Sequence, residues 1–339
     1  MKILYLVQTY KGLSQIQRLV KMIRQSDPSG TILISHNQDS FVLDAPAFEG
    51  VSDVHIVNVN GGSRLDFSLP ASYLAAIEKA YQLEIEFDWV VNMTGQCYPV
   101  RPLQDFVQLL SETRADGFIE YRQVFDDQGR GGGIWPYEEA HSRYRYQYHW
   151  RFTQNEPASF LRKSLGILRI ICHKIQPWIR FDTSYALQIG LRDRSGLFGP
   201  DFRLFGGSYY MTLSRRAIDY IRTFTRANAK IKEHFSRMNI PSEVYFHTIL
   251  LNNPELTISN KHHFCFNVGQ AKRGRPFILG MDDLERITIS QAFFARKFDP
   301  TIDSEVLDVL DQWVFSPSQS SQSMTTSTRS LEFAESRLQ

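Results

Sequence analysis

Ile3-Leu4-Tyr5-Leu6-Val7, five apolar residues in a row, gives way at once to polar residues and then to Ser14–Arg24. In that second stretch Ile16, Leu19, Val20 and Ile23 recur at helical spacing. A short unbroken apolar run reads as a buried strand, and the three-and-four spacing as a helix with one face inward. The alternation then repeats. The pattern predicts strands at Thr31–Ser35, Val54–Val59, Trp89–Met93 and Phe118–Tyr121. It predicts helices at Pro70–Leu83, with Tyr73, Leu74, Ile77, Ala80 and Tyr81 inward, and at Pro102–Leu110. Strand and helix in turn imply βαβ units, hence an α/β class with a mostly parallel central sheet flanked by helices. Ligands of such sheets bind beyond the carboxyl ends of the strands, here Gln8–Lys11, His36–Gln38, Asn60–Ser63 and Thr94–Pro99.

From residue 122 to residue 203 the regularity fails. This stretch holds a glycine-rich loop (Gly129, Gly131, Gly132, Gly133) and an aromatic and basic run from Tyr144 to Arg151. A helix is predicted over residues 158–175, stopped by Pro177. Order returns with a predicted strand over Gly206–Ser214, running into a helix over Arg215–Phe224. A further helix is predicted from Ser242 to about Asn252, and a last one over Ser304–Val314. Residues 316–339 are rich in Ser, Thr and Gln, and too poor in apolar side chains to offset their ordering entropy. They are expected to form a disordered tail behind a single domain of residues 1–315.

Composition excludes several classes. Among 339 residues, 38 Lys+Arg face 36 Asp+Glu, a net charge of +2 without the concentrated basic excess of a nucleic-acid binder. Three cysteines (Cys97, Cys172, Cys265) make neither a disulfide framework nor a zinc pattern. No apolar stretch reaches the length of a membrane span, and the N-terminus lacks the features of a secretory signal. The expectation is a cytoplasmic protein.

Several segments invite chemistry, each beside a plainer reading. Ser242 reads as an N-cap that places Glu243 in the first helical turn, where the dipole favours a carboxylate; any stable helix favours an acid there too. Arg296 and Lys297 sit inside the aromatic run from Phe293 to Phe298, or simply face water from a strand. Lys272-Arg273-Gly274-Arg275-Pro276 is a compact basic loop able to hold phosphate, and a solvated loop looks the same. The basic amphipathic pattern over 158–175 suits an anionic membrane surface or a packed interface. HExxH, GxSxG and P-loop patterns are lacking. So is any Asp-x-Asp pair, the usual metal anchor for a sugar-nucleotide diphosphate, so cationic side chains would have to neutralise one.

Four of these segments, in this order, resemble one family. Val91-Asn92-Met93-Thr94-Gly95-Gln96-Cys97-Tyr98-Pro99 is similar to its INLSGQDYP motif. Gly207-Ser208-Tyr209-Tyr210 followed by Leu213-Ser214-Arg215 is similar to GSQW…LSR. Pro241-Ser242-Glu243-Val244-Tyr245-Phe246-His247-Thr248 is similar to PDExxFxT, and Phe294-Ala295-Arg296-Lys297-Phe298-Asp299 to FARKFD. Near the start, Gln17-Arg18-Leu19 and Ile34-Ser35-His36-Asn37 look like the family's first helix and second strand end. The family is that of the core-2/I-branching enzymes, the β-1,6-N-acetylglucosaminyltransferases grouped with peptide O-xylosyltransferases.

The resemblance implies a GT-A-type glycosyltransferase fold and a metal-independent, inverting transfer of GlcNAc or xylose from a UDP-sugar. The acceptor would be a saccharide or glycolipid hydroxyl. No cofactor, divalent metal or nucleic-acid partner is expected. Glu243 matches the general base, and Lys297 and Arg275 match the cations that stabilise the departing UDP. Arg273, Arg296, Gly95, Gln96, Ser208, Tyr210 and His36 fall among the substrate-binding positions. Departures touch the acceptor side: Ser242 replaces an Asp, Tyr209-Tyr210 stands for Gln-Trp, and Asn60-Gly61-Gly62 for Trp-Gly-Gly. Without the anchor and disulfide cysteines of the Golgi relatives, the chain resembles a bacterial, cytosol-facing member, with peripheral membrane contact through 158–175. Two rivals remain: a catalytically silent sugar- or membrane-binding module on the same fold, and a metal-dependent transferase.

Overall fold

The computed structural model describes residues 1–126, 128–152, 175–182, 187–267 and 276–315. The segment predicted helical at 158–175 therefore lies, but for its last residue, outside the described residues, as do Arg273, Arg275 and the tail from 316. Contacts divide the chain into two compact units, and the chain passes between them five times. The first takes residues 1–11, 31–94 and 114–263, the second 12–30, 95–113 and 264 onward.

The first unit is built on a seven-stranded sheet. β1 (Ile3–Thr9) is buried along its whole length, as the unbroken apolar run requires of a strand covered on both faces. It pairs in parallel with β2 (Thr31–Asn37) and β4 (Trp89–Thr94), so that Leu6 faces Leu33 on one side and Asn92 on the other. β3 (Val54–Val59) adds a further parallel edge beside β2. On the other flank β10 (Phe205–Ser214) runs antiparallel between β4 and β6 (Gly117–Gln123), and β11 (Ile258–Ser259) closes that edge in parallel. The sheet is thus mostly parallel with one reversed strand inside it.

The predicted helix at 70–83 forms as α2 (Ser68–Gln82) and buries Tyr73, Ala76, Ile77 and Ala80. Each such side chain removed from water is worth roughly 1.5–3 kcal/mol for the larger ones. The region predicted to be irregular is ordered where described. α4 (Tyr137–Tyr144) leads into β7 (Tyr146–Phe152), which pairs with β9 (Leu187–Arg192), itself paired with β8 (Ile179–Asp182). Ser214 caps the next helix, α5 (Arg215–Ala227), by accepting from the Ala217 amide at 3.3 Å. A short α6 (Ala229–Ser236) follows.

The predicted helix start at Ser242 needs correction. Pro241 bars its predecessor from the right-handed helical region, and Ile240 takes φ 53°. The chain then closes a single 3₁₀ turn, Pro241–Glu243, with the Val244 amide donating to the Pro241 carbonyl at 3.1 Å. The α-helix, α7, begins only at Tyr245 and ends at Leu251, and Ser242 makes no side-chain cap. Glu243 therefore stands before the helix and not in its first turn.

The second unit holds α1 (Leu13–Ser26), α3 (Leu103–Glu112), α8 (Leu284–Ser290) and α9 (Glu305–Phe315). They accompany a small sheet of β5 (Cys97–Pro99), β13 (Phe294–Arg296) and β12 (Phe264–Cys265). Arg18 on α1 donates to Asp308 and Asp311 at 2.6 Å each, and the Tyr98 hydroxyl donates to Asp311 at 2.5 Å. The Leu103 amide, unsatisfied at a helix start, finds the Ser26 hydroxyl at 3.0 Å.

Candidate functional site

Two of the four motif segments, and the first four residues of a third (Val91–Thr94), meet in the first unit. The Asn92 side-chain amide donates to the Tyr209 carbonyl at 3.0 Å. The Tyr209 hydroxyl donates to Gln8 at 2.9 Å, and Gln8 in turn donates to Ser72 at 2.7 Å. His247 Nε2 lies 3.0 Å from the Ser208 carbonyl, and Thr248 both donates to the Phe205 carbonyl and accepts from its amide. The start of β10 is thereby stitched to the helix that follows Glu243. Two glycines make the approach possible. A Cβ on Gly207 would fall 1.9 Å from the Glu120 carbonyl oxygen, and one on Gly206 would fall 2.8 Å from that of Glu243.

Glu243 is nearly buried and held by two guanidinium groups. Arg64 donates to its Oε1, and Arg143 donates to its Oε2 at 3.0 Å. Arg143 also donates to Glu139 one helical turn back and lies over the Trp135 ring, 5.6 Å from its centroid. The two arginines differ in setting: the Arg143 side chain is 8% exposed, that of Arg64 35%. Behind them, Arg151 on β7 donates to the Ser236 and Met238 carbonyls at 3.2 and 2.7 Å, fixing the chain that leads to Pro241. The stretch in which the sequence pattern fails thus supplies both a partner of Glu243 and, through Arg151, a brace on the chain before Pro241.

The other predicted residues of this unit have settled partners. Ser208 accepts from the Tyr210 amide at 3.4 Å, and Tyr210 is buried. His36 is fully buried, with Nδ1 2.7 Å from the Thr9 hydroxyl and Nε2 2.8 Å from the Phe41 carbonyl. Burial lowers its proton affinity, so the neutral ring donates from Nε2 and accepts at Nδ1.

Gly95, Gln96, Arg296 and Lys297 belong to the second unit. Arg296 ends β13 opposite Cys97, and Lys297 follows it half-buried, its carbonyl accepting from the Leu279 amide at 2.8 Å. The buried Gln96 side chain donates to the Phe298 carbonyl at 3.2 Å, and its own carbonyl accepts from the Phe298 amide at 3.0 Å. Gln15 donates to the same carbonyl at 2.9 Å. Gln96 and Gln15 therefore pin the residue next to Lys297. Among the described residues no group of three His, Cys, Asp or Glu side chains is placed to hold a metal ion, and no helix is long and apolar enough to cross a membrane.

Sequence reasoning missed Arg64 and Arg143. Arg64 had a usable signal: it follows the carboxyl end of β3, where parallel sheets place ligands. Arg143 had none beyond its Glu139 partner at helical spacing.

Glu243 is thus a nearly buried carboxylate held between two arginines against an α/β sheet. The chain is similar to glycosyltransferases. It is 24% identical over 301 residues to the β-glucuronosyltransferase GlcAT14B of Arabidopsis thaliana, covering 87% of this chain and 59% of that protein. It is 23% identical over 326 residues to xylosyltransferase 1 of Homo sapiens, covering 89% of this chain and 29% of that protein. The chain thus spans less than two thirds of the length of either curated relative. No family model matches it. Among solved structures, the galactosyltransferase LgtC with donor and acceptor sugar analogues aligns over 88% of each chain, at 9% identity and a TM-score of 0.37.

Proposed function

We propose that this chain is a glycosyltransferase of GT-A type that moves a sugar from a UDP donor to a hydroxyl, with inversion and without a metal. The observation that carries the reading is the similarity along 87–89% of the chain to proteins named for transferring glucuronate and xylose. The family resemblance adds GlcNAc as a donor sugar, and the saccharide or glycolipid acceptor comes from the same source. Glu243 takes the proton of the acceptor hydroxyl as that oxygen forms its bond to C1 of the sugar. The C1–phosphate oxygen bond breaks, and UDP leaves with the electron pair, its charge met by Lys297 and Arg275.

Release of UDP from UDP-xylose, UDP-glucuronate and UDP-GlcNAc in EDTA tests this. Turnover in EDTA that Glu243→Gln abolishes supports it. Strict dependence on Mn²⁺ overturns the account of the leaving group, and full activity of Glu243→Gln overturns the base.

One observation favours the alternative, a silent sugar-binding module: both oxygens of Glu243 are engaged by guanidinium groups. With each oxygen already accepting from a guanidinium, a hydroxyl proton must compete for the carboxylate. Donor binding without UDP release would establish that alternative.

A further inference from the structure

The two arginines on Glu243 are unequal, and the inequality leaves a route to a working base. Arg143 is nearly buried, bridges Glu243 and Glu139, and covers the face of Trp135. Its carbonyl accepts from the Asn239 amide at 3.2 Å, which ties its backbone to the segment leading into Pro241. Withdrawing such a guanidinium would leave a nearly buried charge site without one of its two ion-pair partners, and strand the guanidinium's own burial beside Trp135. Arg64 differs in its setting. It lies on the loop between β3 and α2, just after Gly61 and Gly62, and its side chain is a third exposed. Of the two guanidinium groups Arg64 is the one that water reaches, so water offsets part of what its departure from Glu243 costs.

We infer, resting on the glycosyltransferase reading, that Arg143 is the fixed positioning residue of Glu243 and Arg64 a displaceable cap on its Oε1. The acceptor hydroxyl takes the place of Arg64 and donates to the vacated oxygen. Arg143 keeps Oε2 and the orientation of the carboxylate. The cap thus couples occupancy of the acceptor position to activation of the base, and protects the donor from water while that position is empty.

UDP release from UDP-xylose and UDP-GlcNAc with water as the acceptor, and with lactose as a saccharide probe, tests this in four variants. Arg64→Ala is expected to raise release to water severalfold and to lower the KM for lactose. Arg143→Ala is expected to cut kcat about tenfold or more, the scale of losing an oriented catalytic group, and Arg143→Lys to restore part of it. Arg143→Gln, which keeps most of the side-chain volume, separates lost charge from lost packing. Thermal unfolding, which needs no turnover, reads the same asymmetry: Arg143→Gln lowers Tm by several degrees, and Arg64→Ala leaves it nearly unchanged. Equal losses of kcat, or equal losses of Tm, in the Arg64 and Arg143 variants overturn the inference. Wild-type protein inert toward every donor overturns the glycosyltransferase reading instead, and the Tm pair still decides which arginine is fixed.

Discussion

Gly206 and Glu243 touch backbone to backbone. A Cβ at Gly206 would stand 2.8 Å from the Glu243 carbonyl oxygen, and as close to the Trp135 ring and to a methyl of Val244. Two of those three neighbours belong to the turn that presents the candidate base. The third, Trp135, lies beneath the arginine that orients it. Gly206→Ala therefore pushes on the turn itself. Overpacking of this kind costs roughly 1–3 kcal/mol, and the strain falls where the carboxylate is aimed. The expected outcome is a folded protein with a lower Tm and a larger loss of UDP release than of stability. Wild-type kcat in Gly206→Ala would show that the contact does not set the position of Glu243.

His247 supplies a pH dependence. Burial pushes its imidazole down to about 4, against the ordinary 6.5, although Glu243 and Glu120 both favour its protonated form. His263, 3.1 Å from the Thr212 hydroxyl, is pushed down to about 4 in the same way, burial coming first and the neighbouring His262 and Lys261 adding to it. In the unfolded chain each ring binds a proton near 6.5, whereas in the folded chain it stays neutral until about 4. The unfolded state thus holds more protons in that window, and stability falls as pH drops through it. Each histidine contributes up to about 3 kcal/mol to the decline, and below the folded value nothing further is lost. Tm measured from pH 7 to pH 4 should fall steeply, and less steeply in His247→Asn. Parallel curves for the two proteins would remove His247 from the account.

The fold was legible where one strand or helix carried its own pattern. Ile3–Val7 announced β1 because a strand buried on both faces needs no alternation, and Val54–Val59 matched β3 residue for residue. What the pattern lacked was partnership. The strand itself was readable over Gly206–Ser214, but nothing in it says that it enters the sheet reversed, between β4 and β6. The helix start at Ser242 misled because Ser followed by Glu is a good local signal, and the left-handed Ile240 before Pro241 overrode it. Glu243 itself came from the motif resemblance, and its arginine partners came from neither source. Arg143 stands 100 residues from Glu243, inside an aromatic and basic stretch whose own periodicity reads as irregular. A salt bridge across that distance is a property of the assembled unit and leaves no local trace.

Lys297 is presented through its neighbour. The Phe298 carbonyl accepts from Gln15 and Gln96 at 2.9 and 3.2 Å, and the Phe298 amide donates to the Gln96 backbone at 3.0 Å. The side chain of Gln96 is thus engaged with the segment that carries the candidate cation. Gln96→Leu keeps the volume and deletes one of the two side-chain donors. A neutral hydrogen bond is worth about 1 kcal/mol net, so a loosened Lys297 should bind the donor diphosphate roughly fivefold more weakly. The expected signature is a raised Kd for UDP in calorimetry, with Tm lowered only slightly because Gln15 still serves the carbonyl. Lys297→Ala should weaken UDP binding further. Adding Gln96→Leu to it should then change little, since the glutamine acts through the lysine. If the two losses simply add in the double variant, Gln96 contacts the nucleotide on its own account, and its place among the substrate-binding residues is direct.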